Sequence, residues 1–211
     1  MNKTLISNWL NKPDDVVMLN ACFSLENKEI LSSIQKLLQK KFPDIISCTR
    51  PHGLHITLME FLSLSFNYGQ HTNKKRLLHT LFHESIGQYD KIIVQTLEDE
   101  KNIRIDFKEL RVMPNAILVV GTDNGAFKRV RDNLINKIDL IPGTKAPPQI
   151  IYSTICRYAS EGDLQTIRDF VQGLKVSFVE IVKEFRLTHE SVPPASEFEI
   201  VKTYPLGTLT E

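Results

Sequence analysis

The chain has 211 residues, with 26 Lys and Arg against 25 Asp and Glu and a formal charge of +1 with histidine neutral, a balance that predicts no long-range pull toward nucleic acid or an anionic membrane. At 42% hydrophobic and 24% charged, it falls in the ordinary globular range, which sets aside disorder, collagen and coiled coil. No apolar run reaches the roughly 18 to 20 residues of a spanning helix, and residues 1–10 lack the basic and apolar stretches of a signal peptide, so a cytoplasmic protein is expected. Cys22, Cys48 and Cys156 are an odd number spaced far apart, which suits neither a disulfide framework nor a zinc site. They are expected to be reduced, with Cys22 and Cys156 acting as small hydrophobes inside apolar strands.

In chain order, residues 16–23 form a short apolar run suited to a buried strand. Residues 26–41 place Ile30, Ile34, Leu37 and Leu38 at helical spacing, with lysines in the last turns and Pro43 as a stop. A strand is predicted at 54–58 and a helix at 72–89, followed by strands at 91–97 and 103–107 around the charged turn 98–101. The pattern then starts again. Residues 116–120 read as a strand, 124–138 as a helix carrying Phe127, Val130, Leu134 and Ile138, and 150–155 as a strand after a loop at 142–148. The last third adds a helix at 163–173, a strand pattern over 178–187 and a closing strand near 198–201. Two strand-helix-strand passages suggest an internal duplication, and with no low-complexity linker the simplest organisation is one α+β domain of two lobes over residues 1–211.

Each passage ends on a strand with a threonine two residues after a polar ring: His55 and Thr57 in the first, Tyr152 and Thr154 in the second. Residues two apart in a strand share a face. If the lobes pack about a pseudo-twofold axis, these faces meet and flank a phosphate. An imidazole titrates near neutral pH and suits acid-base cleavage of a cyclic or bridging phosphodiester, while threonine hydroxyls hold the non-bridging oxygens.

The stretch Pro51-His52-Gly53-Leu54-His55-Ile56-Thr57-Leu58 resembles the first signature of the two-histidine phosphoesterase superfamily, whose strands read Leu-His-x-Thr-Leu. Tyr152-Ser153-Thr154-Ile155-Cys156-Arg157 is similar to the second, His-x-Thr-Leu-x-Arg, with tyrosine in place of histidine. Residues 198–206 resemble the closing strand of the bacterial RNA ligase-like branch. The resemblance implies a bilobal fold with antiparallel sheets facing a central groove and chemistry that needs neither metal nor cofactor. The groove of a monomer would take a 2′,3′-cyclic phosphate RNA end, a 2′-5′ oligonucleotide or a cyclic nucleotide. Position by position, it implies His55 and Tyr152 as the acid-base pair, Thr57 and Thr154 as phosphate ligands, and Arg157 as a supporting cation. Tyrosine, with a reference pKa near 10, is ionised about one part in a thousand at pH 7 and is a poor general base. The expectation is therefore a phosphodiesterase working with one motif histidine, or a non-catalytic nucleotide-binding module, with an empty-grooved remnant as the third alternative.

Other residues read as structural. His79 and His83 lie one turn apart beside Glu84 without an evident third metal ligand. His52, three residues from His55 in an extended segment, would point to the opposite face. Lys128, Arg129 and Arg131 could meet an RNA backbone but fit a solvated helix face better. Gly121 and Gly125 suit a turn before the helix.

Overall fold

The structure, a computed structural model, describes residues 3–7, 16–63, 72–140, 144, 147–192 and 197–207, with backbone alone at 63 and 72–79. The elements in order are β1 (Val16–Cys22), α1 (Leu25–Lys41), β2 (Ile46–Cys48), a 3₁₀ turn (Pro51–Gly53), β3 (His55–Ser63), α2 (Thr72–Leu97), β4 (Ile103–Met113) and β5 (Ala116–Thr122). They continue with α3 (Ala126–Lys137), β6 (Ile151–Tyr158), α4 (Leu164–Gln172), β7 (Phe178–Val182), β8 (Glu184–Val192) and β9 (Glu197–Pro205). No helix among the described residues is long and apolar enough to cross a membrane.

Two antiparallel sheets result, ordered β3-β1-β8-β9 and β2-β6-β5-β4-β7. Leaving out β2, the orders correspond strand for strand, with β1-α1-β3 matching β5-α3-β6, so the duplicated bilobal α+β architecture expected from the sequence is present. The apolar spacing of α1 turns Leu31, Ile34 and Leu38 into the core, and Ser24 caps its first turn through Asn27 N–H. Both sheets and the helices contribute to one continuous apolar cluster whose largest fully buried members include Phe61, Tyr89, Phe107, Phe127, Tyr158 and Phe185. Such burial stabilises by about 1.5–3 kcal/mol for a large apolar side chain.

Two predicted elements are corrected. Residues 91–97 are not a strand but the last two turns of α2: Phe82, Tyr89, Ile93 and Leu97 are buried along one helical stripe. The local run of Ile92, Ile93 and Val94 has high strand propensity, yet a stripe at spacings of three and four across the whole segment overrides it. Residues 178–187 are not one strand. The chain leaves the five-stranded sheet after Val182 and enters the four-stranded one at Glu184, so β7 and β8 belong to different lobes. The short β2 carries no apolar run of its own and is absent from the expected elements. Much of the predicted loop 142–148 lies outside the described residues.

Gly121 marks a close approach: a Cβ there would fall 2.6 Å from Ile105 Cγ2 and 2.9 Å from Phe107 Cε1, so only glycine lets β5 lie on β4 at this point. The outer edge of β3 has no strand partner among the described residues. Arg131 on α3, only 4% exposed, covers it by donating from Nε to Leu58 O at 2.9 Å and from Nη2 to Thr57 O at 3.5 Å, while Nη1 donates to Pro148 O.

Candidate active site

The two motif strands repeat each other more fully than the sequence suggested. In β3, His55 and Thr57 are half-buried, Leu58 and Met59 are both buried, and Glu60 is half-buried; in β6, Tyr152, Thr154, the pair Ile155 and Cys156, and Arg157 follow the same pattern. A register irregularity falls at the same place in each, where Leu19↔Met59 passes to Asn20↔Thr57 and Ile117↔Cys156 passes to Leu118↔Thr154. The extra residue of each bulge goes to the core and returns the chain to the groove face. Strict alternation would have turned Arg157 away from Tyr152. Instead Tyr152, Thr154 and Arg157 share a face with their cross-strand partners Val120, Leu118 and Ala116. Those three residues form a small apolar patch with Met113, Ile150 and Tyr152. Glu60 is the symmetric counterpart of Arg157.

On the other sheet, His55 stands opposite Cys22, and Thr57 opposite Asn20. His55 Nδ1 lies 2.8 Å from Gly53 O. A carbonyl only accepts, so Nδ1 carries the proton and Nε2 is left to exchange one. A shallow cleft of about 210 Å³, counting the space open to solvent, is lined by Asn20, Cys22, His52, Gly53, His55, Thr188, Glu190 and Phe198. Asn20 and Thr188 are each 3% exposed, and Asn20 Nδ2 donates to Thr188 Oγ1 at 2.7 Å. Asn20 Oδ1, buried beside His55, has no hydrogen-bond partner among the described residues.

His52 is a correction. It does not point away from His55, because residues 51–53 form a 3₁₀ turn, with Pro51 at its start, and not an extended segment. The turn brings His52 to the rim of the same cleft, its ring stacked 5.9 Å from that of Phe198 at 24°.

Tyr152, Thr154 and Arg157 lie on the facing strand and do not line that cleft. Arg157 is linked to it electrostatically through Glu190. Burial pushes the Tyr152 phenol above its usual range, with Glu60 adding to the rise and Arg157 and Arg131 opposing it. These effects favour the phenol form of Tyr152. Burial depresses the Arg157 guanidinium, while Tyr152, Glu190 and Glu60 favour its charge. One cation thus faces two carboxylates from the opposite sheet.

The remaining candidates separate. The basic trio of α3 is no shared surface: Arg131 is buried against β3, Arg129 Nη2 pairs with Glu100 Oε2 at 2.6 Å, and Lys128 pairs with Asp132. His83 is exposed with its ring edge-on to Phe82, and the side chain of His79 lies outside the described residues. Gly125 holds φ +90° at the start of α3, as a turn requires.

No protein-family model matches the sequence, and no curated protein does. Solved structures do match. A Thermus thermophilus protein has a TM-score of 0.65 at 13% identity over 90% of this chain and 97% of its own. A phosphoesterase gives 0.63 at 13% over 93% and 99%. E. coli LigT in complex with 3′-AMP gives 0.60 at 13% over 92% and 99%. The fold is that of the LigT-type two-histidine phosphoesterases. LigT has also been crystallised with phosphate, ATP and NADP+.

Within the LigT fold, the cleft residues that sequence reasoning missed are Asn20, Thr188, Glu190 and Phe198. Three of them come from β8 and β9, more than 130 residues from His55; Thr188 and Glu190 carry no local motif, and Phe198 opens the closing-strand stretch without being marked there as a cleft residue. Glu60 was within reach: setting His-x-Thr-x-x-Glu against Tyr-x-Thr-x-x-Arg aligns it with Arg157.

Proposed function

We propose that the groove binds a nucleotide phosphate ester, a 2′,3′-cyclic phosphate RNA end, a 2′-5′ oligonucleotide or a cyclic nucleotide, with His55 as its acid-base residue. The observation that carries this reading is the hydrogen bond from His55 Nδ1 to Gly53 O at 2.8 Å, which fixes the tautomer and leaves Nε2 for proton transfer in a cleft with buried polar walls. In this reading a water attacks phosphorus and gives its proton to His55 Nε2, and the ribose oxygen leaves as the P–O bond breaks. Thr57 and Thr154 donate to the non-bridging oxygens. Tyr152, held as a phenol, supplies a hydrogen bond and the proton for the leaving oxygen, and Arg157 supports the phosphate charge.

A second reading, a single two-lobed module that binds without turnover, draws on two observations. Burial works against Tyr152 ever acting as a base, and Glu60 and Glu190 already compensate Arg157, which weakens its pull on a phosphate. Hydrolysis of 2′,3′-cyclic nucleotides and short 2′-5′ oligoadenylates over hours at high protein concentration separates the two. Under the catalytic reading, turnover falls about 10² to 10⁴-fold in His55→Ala, rises in Tyr152→His, and persists in His52→Ala. Under the binding reading, wild type shows no turnover, yet 3′-AMP raises the melting temperature. Neither turnover nor stabilisation by 3′-AMP refutes both.

A further inference from the structure

A second chemically distinct site lies on the core side of β6, behind the groove. Cys48 on β2 and Cys156 on β6 are 108 residues apart in sequence and directly opposite in register, with their sulfurs 3.4 Å apart. The flanking hydrogen bonds define the kind of pair. Thr49 N–H donates to Ile155 O at 2.9 Å, and Ala159 N–H donates to Ile45 O at 2.8 Å. Alternation along an antiparallel ladder then puts Cys48 and Cys156 at a non-hydrogen-bonded position, where Cα atoms approach to about 4.5 Å and side chains are closest. That spacing falls inside the range of about 4.4–6.8 Å that a disulfide spans. Bond formation requires the sulfurs to close by about 1.4 Å from their 3.4 Å contact.

The two thiols differ in a way that suits sequential chemistry. Cys48 is half-buried, so a small reagent reaches it, whereas Cys156 is fully buried with its sulfur against that of Cys48. The S–H of Cys156 lowers the pKa of Cys48, while burial pushes that of Cys156 well up. Gln35 on α1 holds the strands in place: its Nε2 donates to both Thr49 O and Ile155 O at 2.7 Å. The third cysteine, Cys22, lies on the other sheet with Arg186 Nη1 at 3.4 Å from its sulfur.

We propose that Cys48 and Cys156 are a reversible thiol-disulfide pair, with Cys48 the site of attack on a low-molecular-weight disulfide and Cys156 the thiol that closes the bond. In the first step the Cys48 thiolate attacks one sulfur of oxidised glutathione; a Cys48–glutathione bond forms, and one glutathione thiolate leaves and takes up a proton. In the second, Cys156 loses its proton to solvent and attacks the Cys48 sulfur, and the second glutathione leaves. The protein gives up two electrons and two protons, and one oxidised glutathione becomes two reduced ones. This pair exists whichever reading of the groove holds.

The test is incubation of the full chain with excess oxidised glutathione, followed by alkylation of free thiols, digestion without reductant and mass spectrometry. The expected result is a peptide pair joined through residues 48 and 156, lighter by two hydrogen atoms than the separate peptides and released by dithiothreitol, with Cys22 alkylated. In Cys156→Ala, glutathione is expected to stay on Cys48, and in Cys48→Ser the buried Cys156 is expected to take up none. If Cys156→Ala does not fold, the wild-type map and Cys48→Ser decide the matter. The proposal is overturned if wild type accumulates a stable glutathione adduct on Cys48 without the cross-link, if Cys22 alone reacts, or if no thiol reacts while the chain remains folded.

Discussion

Removing the guanidinium of Arg131 tests how the motif strand is held. Arg131→Met keeps the length of the stem, which also carries the cation against the Phe127 ring at 5.3 Å, but leaves Leu58 O and Pro148 O without their donor and Thr57 O without its longer contact. A buried carbonyl that loses its partner costs roughly 1–3 kcal/mol; Leu58 O is such a group and the partly buried Pro148 O adds less, which gives about 2–5 kcal/mol. Part of that is returned, because burial disfavours the charged guanidinium itself. The expected net loss is about 3 kcal/mol, or a fall in Tm of roughly 6–12 °C for a chain of this size. Urea unfolding followed by circular dichroism measures it, with an unchanged m-value as the sign that the folded state is still compact. Arg131→Lys places all its donors on one nitrogen and is expected to recover less than half. A loss below about 1 kcal/mol in the methionine variant, or full recovery in the lysine variant, would refute the view that the fork of donors closes the edge of β3.

Glu180, 4% exposed on β7, accepts from Ser24 N–H at 2.9 Å, Ser24 Oγ–H at 3.2 Å and Asn27 Nδ2 at 2.8 Å. Glu180→Ala is expected to destabilise by about 2–4 kcal/mol in urea unfolding, and Glu180→Gln by less. Gln35→Leu, which orphans Thr49 O and leaves Ile155 O only its bond from the Thr49 amide, is expected to cost about 1–3 kcal/mol and to speed hydrogen exchange at the Thr49 amide. Gly121→Ala should cost about 1–3 kcal/mol by overpacking against Ile105 and Phe107. The phenols of Tyr152, Tyr158 and Tyr204 are all raised above 10.0, mainly by burial. The native state therefore keeps protons that the unfolded chain releases, so their contribution is intact below about pH 10 and stability falls as pH rises beyond it. Urea midpoints between about pH 9 and pH 11 measure this, and Tyr204→Phe should flatten the decline.

Segments with one-sided apolar spacing declared themselves in the sequence: α1, α3 and α4 lie within two residues of their predicted bounds. The continuation of α2 to Leu97 did not, because three β-branched residues in a row look like a strand until their neighbours seven and eleven positions back are counted. The break between β7 and β8 is marked by Lys183 alone, and a sheet change is a tertiary event with no local signature. The same holds at the site. The shared faces of His55 with Thr57 and of Tyr152 with Thr154 were legible because period two places each pair on one side of its strand. The positions of Glu60 and Arg157 depend on bulges, which shift that period by one, and His52 depends on a 3₁₀ turn that an extended reading excludes. The pairing of Cys48 with Cys156 depends on β2, three residues long.

The hydrogen bond from Asn20 to Thr188 spans 168 residues, and it has a consequence for how the molecule comes into being. The strands β4, β5 and β6 are neighbours in the chain and can assemble during synthesis, long before β8 and β9 leave the ribosome. The sheet carrying His55 cannot, since β1 lies between a strand made early and one made near the end. The centre of one lobe is thus an early product that β7 completes later, whereas the sheet carrying the histidine waits for β8 and β9. Until residue 198 has emerged, the cleft lacks Thr188, Glu190 and Phe198 from its wall, and β1 offers an open edge. A chain still short of that point therefore has a scaffold but an incomplete cleft wall until β8 and β9 have docked.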